Sequence, residues 1–199
     1  MIKTILFDFT GVVTTARCFP SLAERLGKKF NIDAKKILNR LQSNDILYTK
    51  GNESTHAFWK KAFKGLPVPY HDFVSEFSSW YTLNNWVLDL AKRLKSRYQV
   101  VILSDNFDAV LDTIRKDKKL KVFEKIYLSN ELHLSKADER LFRYALKSLG
   151  RKPEDCIFID DKEKNLAQAE SIGMRTILFR NTTQLKMELK HLGIDIPLR

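Results

Sequence analysis

Asp8, Ser104, Lys136 and the pair Asp160-Asp161 are the residues of this chain whose types and positions could do chemistry. Asp8 closes the apolar run Ile5-Leu6-Phe7, Ser104 closes Val100-Val101-Ile102-Leu103, and Asp160-Asp161 close Cys156-Ile157-Phe158-Ile159. Lys136 lies in the loop after a less regular run, Lys125-Ile126-Tyr127-Leu128. Such runs read as short buried strands, and in an open α/β sheet ligands bind outside the carboxyl ends of the strands. One Asp after a strand need only cap a loop. Acid, hydroxyl and acid pair on three strand ends are harder to explain in that way, because crowded carboxylates repel unless a cation is present.

The residue types define a reaction. Asp8 with Asp161, and Asp160 as a further candidate, offers hard oxygen ligands to one Mg²⁺, which would offset carboxylate repulsion and admit an anionic phosphate. Ser104, with the backbone amides of Asp105 and Asn106 at a helix start, can hold phosphate oxygens. Lys136 adds a fixed positive charge for substrate and transition state. Asp8 is then free to attack phosphorus and form an aspartyl-phosphate. Phosphoryl transfer needs mainly this positioning and neutralisation.

The elements that must position these residues alternate. After Val13 the pattern turns helical: a helix from Pro20-Ser21 with Leu22, Leu26 and Phe30, a second capped by Asp33 with Ile37, Leu38 and Leu41, and a third capped by Ser54 with Phe58, Trp59, Ala62 and Phe63. Gly65 to Pro69 breaks the chain, and an aromatic segment with Phe73, Phe77, Trp80 and Tyr81 follows. His56 and His71 lie in this stretch with no evident partner and are given no role. From Asn84 strands and helices alternate to the end, with a helix stopping at Gly150 and a last one over about 183–192. The expectation is an α/β fold: a Rossmann-like parallel sheet with right-handed crossovers over 1–13 and 84–199, and an inserted all-helical cap over 14–83.

Composition sets further bounds. The 199 residues suffice for one core with an insert. Cys18 and Cys156 have no metal-ligand spacing and suggest a reducing compartment. No apolar segment approaches the ~20 residues that span a bilayer, and Asp8 interrupts what could have been a signal peptide, so a cytoplasmic protein with no membrane partner is expected. The net charge of +11 admits nucleic acid or an anionic substrate. The basic residues are scattered, however, and the densest run, Arg115 to Lys121, reads as a solvated helix end. Without a nucleic-acid motif, specific nucleic-acid binding is not expected. Oligomeric state is not encoded in any readable pattern.

These motifs resemble those of the haloacid dehalogenase-like hydrolases with a helical cap inserted after the first strand. The resemblance rests on Phe7-Asp8-Phe9-Thr10-Gly11-Val12, on Leu103-Ser104-Asp105-Asn106, on Ser135-Lys136-Ala137-Asp138, and on Phe158 to Asn165 followed by Ala169 and Gly173-Met174. It spans essentially the whole chain, with the four motifs in order. It implies hydrolysis of a small phosphorylated substrate, with Asp8 as nucleophile and the Thr10 carbonyl joining Asp8 and Asp161 on Mg²⁺. Thr10 departs from the family pattern, which usually has a second Asp there as acid and base. Threonine cannot serve in that role near neutral pH. Relatives with Thr at this position include P-type ATPases, whose phosphoenzyme is comparatively long-lived. Two other readings stay open: a binding or regulatory module with little turnover, and a metal-independent dehalogenase, against which the Asp160-Asp161 pair argues.

Overall fold

Five apolar runs pair side by side as β1 (Thr4–Phe7), β2 (Gln99–Ser104), β3 (Lys125–Leu128), β4 (Cys156–Asp160) and β5 (Arg175–Leu178) in a computed structural model that describes residues 1–15, 18–44, 52–79, 81–105 and 108–197. The strands are parallel in the order β3-β2-β1-β4-β5. This is a Rossmann-like α/β fold. β1 is central and buried along its length, which is why its sequence is continuously apolar rather than alternating.

Side chains alternate across the sheet, and that alternation aims the site. Ile5, Phe7, Val100, Ile102, Ile157 and Ile159 join one buried cluster, whereas Leu6, Val101, Leu103, Cys156 and Phe158 join the other. Phe7 is in register with Ile102 and Ile159, and the Asp8 N–H donates to the Ile159 carbonyl at 2.8 Å. Asp8 is therefore level with Asp160, and both fall on the face of Leu6 and Phe158.

In chain order the helices of eight residues or more among the described residues are α1 (Cys18–Phe30), α2 (Ala34–Ser43), α3 (Thr55–Ala62), α4 (Tyr70–Ser78), α5 (Asn85–Leu94), α6 (Asp108–Lys116), α7 (Glu139–Leu149), α8 (Glu163–Ser171) and α9 (Thr182–His191). Local chemistry sets their ends. Asp33, Ser54, Asn84, Asp138 and Asn181 each accept a first-turn N–H through the side chain, and Gly150 stops α7 with φ 63°. α1 starts at Cys18, ahead of the expected Pro20-Ser21. Pro20 falls in its first turn, where the missing N–H has no intrahelical partner to lose.

Leu141, Phe142, Ala145 and Leu146 of α7 and Leu166 and Ala169 of α8 cover the Asp8 face. The opposite face is covered by α5 and α9, and Phe19, Phe58, Phe73 and Phe77, from α1, α3 and α4, belong to the same buried cluster as Phe7 and Ile102. Arg25 of α1 pairs with Glu76 of α4, and Lys29 pairs with Asp72 at 2.6 Å. The chain leaves for these helices and returns along paired segments: Thr15 N–H donates to the Thr82 carbonyl at 2.9 Å and Asn84 N–H to the Val13 carbonyl at 2.8 Å. The two histidines do have partners: the His56 ring meets Tyr70 edge-on at 4.9 Å, and His71 Nε2 lies 2.9 Å from Asp72 Oδ2. Cys18 and Cys156 are buried free thiols. Trp80 and Asn106 lie outside the described residues, as does the side chain of Val110. Among the described residues no helix is long and apolar enough to cross a membrane.

Candidate active site

Beyond β1 the chain makes one wide turn, Phe9–Val13, closed by Val13 N–H to the Asp8 carbonyl at 3.3 Å and Thr14 N–H to the Phe9 carbonyl at 2.9 Å. Two conditions fix glycine at its middle. Gly11 has φ 89°, a conformation L side chains rarely adopt. A Cβ there would stand 2.8 Å from Asp161 Oδ2. The turn thus lays its backbone directly against the Asp161 carboxylate.

Lys136 is the hub of the site. Its ammonium is 2.7 Å from Asp8 Oδ1 and 2.6 Å from Asp160 Oδ2, with all three side chains almost fully buried. It also lies 5.7 Å from the centre of the Phe158 ring, within cation–π range. The loop carrying it is tied to β2, because Lys136 N–H donates to Asp105 Oδ1 at 2.9 Å. Asp8 Oδ1 accepts a second bond from Phe9 N–H at 2.7 Å.

Asp160 is more heavily engaged. Its Oδ1 accepts from Lys162 N–H at 2.8 Å, and Asn165 Nδ2 reaches Oδ1 at 3.1 Å and Oδ2 at 3.0 Å. Asn165, in the first turn of α8, was not among the candidates. The available signal was its place in the motif after Asp160-Asp161, but a contact across five positions depends on how α8 leaves the strand. One oxygen from each of Asp8, Asp160 and Asp161 lies within 4.8 Å of the others. Ser104, the last residue of β2, is fully buried, its hydroxyl donating to the Asp105 carbonyl at 3.1 Å. Thr10, at the start of the turn, is partly exposed.

A family model for haloacid dehalogenase-like hydrolases matches residues 2–173, most of the chain. The chain belongs to this family of hydrolases. Among its relatives, a glyceraldehyde 3-phosphate phosphatase of Methanocaldococcus jannaschii is 26% identical over 196 residues, 89% of this chain and 84% of the relative. The bifunctional epoxide hydrolase 2 of Rattus norvegicus is 28% identical over 122 residues, 61% of this chain. The chain spans only 13% and 19% of the length of the first curated relatives it matches. A family enzyme from Bacteroides thetaiotaomicron, solved in complex with magnesium and inorganic phosphate, superposes with a TM-score of 0.74 at 24% identity, covering 93% of this chain and 99% of that one.

The donor set of this hydrolase fits a hard divalent cation. Three carboxylates offer oxygen atoms within 4.8 Å of one another, Asp160's being already engaged by Lys136, Lys162 and Asn165, and glycine at position 11 keeps a Cβ away from Asp161. Charge at the site is correspondingly unbalanced. Burial, and then the neighbouring Asp160, push the Asp8 carboxyl up to about 7 despite the opposing pull of Lys136. For Lys136, burial alone would lower the pKa. Asp160, Asp8 and Asp105 together outweigh it and hold the ammonium above the usual lysine range.

Proposed function

We propose that this protein is a Mg²⁺-dependent phosphatase of a small phosphorylated metabolite, working through an aspartyl-phosphate on Asp8. The observation that carries the reading is the cluster of Asp8, Asp160 and Asp161, one oxygen of each within 4.8 Å of the others, with buried Lys136 paired to the first two, a charge arrangement suited to a phosphate dianion beside a divalent ion. The likeness to an archaeal phosphatase over most of both chains supports it.

In this reading Asp8, Asp161 and the Thr10 carbonyl hold the ion, which supplies charge neutralisation at the transferring phosphoryl group. Asp160 spends its oxygens on Lys136, Lys162 and Asn165, so its part is to hold the Lys136 ammonium in place. Ser104 and the amides of Asp105 and Asn106 take the phosphoryl oxygens, the Asp105 carboxylate being committed to Lys136 N–H. A carboxylate oxygen of Asp8 attacks phosphorus as the ester P–O bond breaks, and the leaving oxygen takes up a proton. Water then attacks the phosphorus of the acyl-phosphate, loses a proton, and releases phosphate and the Asp8 carboxylate. The helices over 14–83 form the cap whose inner surface selects the rest of the substrate.

Thr10 favours a second reading, in which the same site captures a phosphoryl group but releases it slowly, because position 10 offers no base to the attacking water. Phosphate release from a panel of phosphorylated metabolites, in Mg²⁺ and in excess EDTA, tests both. Metal-dependent turnover supports the phosphatase, and one labelled equivalent per chain without turnover supports the slow form. Halide release from a 2-haloacid in EDTA would identify a dehalogenase and overturn both.

A further inference from the structure

A cavity of about 670 Å³ opens between α5 and the 3-10 turn Lys118–Val122, and among the described residues its walls carry Lys92, Lys95, Lys118, Lys119 and Lys121 against one acid, Asp89. The fold brings these lysines together from two segments. Lys92 of α5 and Lys95, its C-cap residue, stand three positions apart on helical backbone, and therefore on one side of it. Lys118 and Lys121 are one 3-10 turn apart and point the same way. That turn is pinned from both sides: Leu120 and Val122 are buried in the core, and Asp117 caps it by accepting Lys119 N–H at 2.9 Å. The lysines are thus borne on well-anchored backbone.

Their charge is left uncompensated. Some basic side chains elsewhere sit on acids, such as Lys3 on Asp155 at 2.9 Å, Lys61 on Glu53 at 2.5 Å, Arg115 on Glu131 at 2.5 Å and Arg143 on Glu139 at 2.9 Å; what sets the cavity apart is five lysines gathered around one depression. Among the described residues, none of the five cavity lysines has a carboxylate within 4.0 Å. Like charges around one depression repel, and a multiply charged anion relieves all of those repulsions at once. Lysine acts on phosphate as a point charge, without the planar fork that arginine offers to a carboxylate. Among the described residues the walls hold no aromatic ring on which a base could stack. The volume is in the range of small-molecule sites.

We propose that this cavity binds the polyphosphate group of a small molecule, two or more phosphoryl groups held by Lys92, Lys95, Lys118, Lys119 and Lys121. The site is separate from the carboxylate cluster, and the proposal does not depend on phosphatase activity. Calorimetric titration of the full chain in EDTA, with inorganic tripolyphosphate as probe, tests it. The expected result is saturable binding of one tripolyphosphate per chain, with inorganic phosphate weaker by about tenfold or more. The double variant Lys92→Ala/Lys119→Ala should weaken tripolyphosphate binding by about tenfold or more, with an unchanged melting temperature and unchanged p-nitrophenyl phosphate turnover. A control at Lys147 and Lys186, which lie outside the cavity, should leave affinity as it was. Absence of saturable binding, or equal affinity in the double variant, would overturn the proposal. So would lysine-dependent binding of a duplex DNA of about 20 base pairs tighter than that of tripolyphosphate, which would make the surface a nucleic-acid contact with a steep salt dependence.

Discussion

Asp160 Oδ2 lies 2.6 Å from Lys136 Nζ, and both groups are closed off from solvent. Asp160→Asn removes one of the two carboxylates on this ammonium, which keeps Asp8 at 2.7 Å, so the loss is that of a charge-assisted buried hydrogen bond, about 1.5–3 kcal/mol. Asp160→Asn should lower unfolding free energy by that order in urea titrations. In the proposed phosphatase it should reduce kcat with little change in the Mg²⁺ concentration for half-maximal activity. Asp161→Asn should do the reverse, raising the Mg²⁺ requirement while costing little stability. Equal Mg²⁺ dependence in the two variants would remove the distinction drawn between these neighbours.

Asn165→Ala strips Asp160 of a donor that reaches both of its oxygens. A buried acceptor left short of partners costs about 1–3 kcal/mol. Asn165→Asp should be worse than Ala, since it places a second carboxylate against Asp160. A melting series over wild type, Ala and Asp checks the order, and an Asp variant as stable as wild type would contradict it.

Gly11→Ala confronts both φ 89° and the 2.8 Å approach of Asp161. The left-handed conformation alone costs about 1–2 kcal/mol for an L residue. The added methyl also pushes on Asp161, so Mg²⁺ binding should weaken as well. A variant with lowered stability but wild-type Mg²⁺ affinity would mean that the turn yields and Asp161 does not.

The pKa of Asp8 sets a pH dependence. Its carboxyl is raised from 3.8 to about 7, so folding favours its protonated form. The stability from this source is fully present below pH 3.8 and is lost as pH rises through about 7. A cation needs Asp8 ionised, so below that pH a proton competes with it and affinity should fall by about tenfold per pH unit. The increase in melting temperature on adding Mg²⁺ should therefore be small at about pH 5.5 and large at about pH 8. Lys162 also pulls the Asp8 pKa down, and Lys162→Ala should move the transition to higher pH. A Mg²⁺ shift independent of pH would exclude Asp8 as a ligand.

Legibility followed the range of the interactions. Asp8, Ser104 and Asp160 could be read because a buried parallel strand is continuously apolar and its first polar residue marks its end. Caps such as Asp33, Ser54 and Asn84 could be read because a cap acts within three residues. Asp105 was placed with the substrate phosphate from its strand end. That its carboxylate fastens the Lys136 loop depends on how two distant segments meet. The basic residues of the run from Arg115 to Lys121 are exposed, as a solvated helix end requires, and α6 ends within it at Lys116; beyond that end Asp117 caps a new turn whose Lys118, Lys119 and Lys121 line one depression with Lys92 and Lys95. No local pattern announces that companionship.

Thr10 stands immediately before Gly11, in the turn whose backbone abuts Asp161. The proposed cycle has two half-reactions, and an acid or base at this position typically contributes about 10²–10⁴-fold. Attack by Asp8 suffers least when the leaving group is already a weak base, since little proton donation is needed. Water attack on the aspartyl-phosphate still needs a base. The protein should therefore prefer p-nitrophenyl phosphate to sugar phosphates and accumulate phosphorylated Asp8 with it, giving a burst of p-nitrophenol of one equivalent per chain. Thr10→Asp should shorten the life of that phosphoenzyme and raise steady-state turnover, provided the turn accepts another carboxylate beside Asp161. A side chain of the cap already acting as base would give no burst in the wild type and no gain in the variant. Rapid-quench measurement of phosphoenzyme in both forms decides between these outcomes, and the second would remove Thr10 as the limit on turnover.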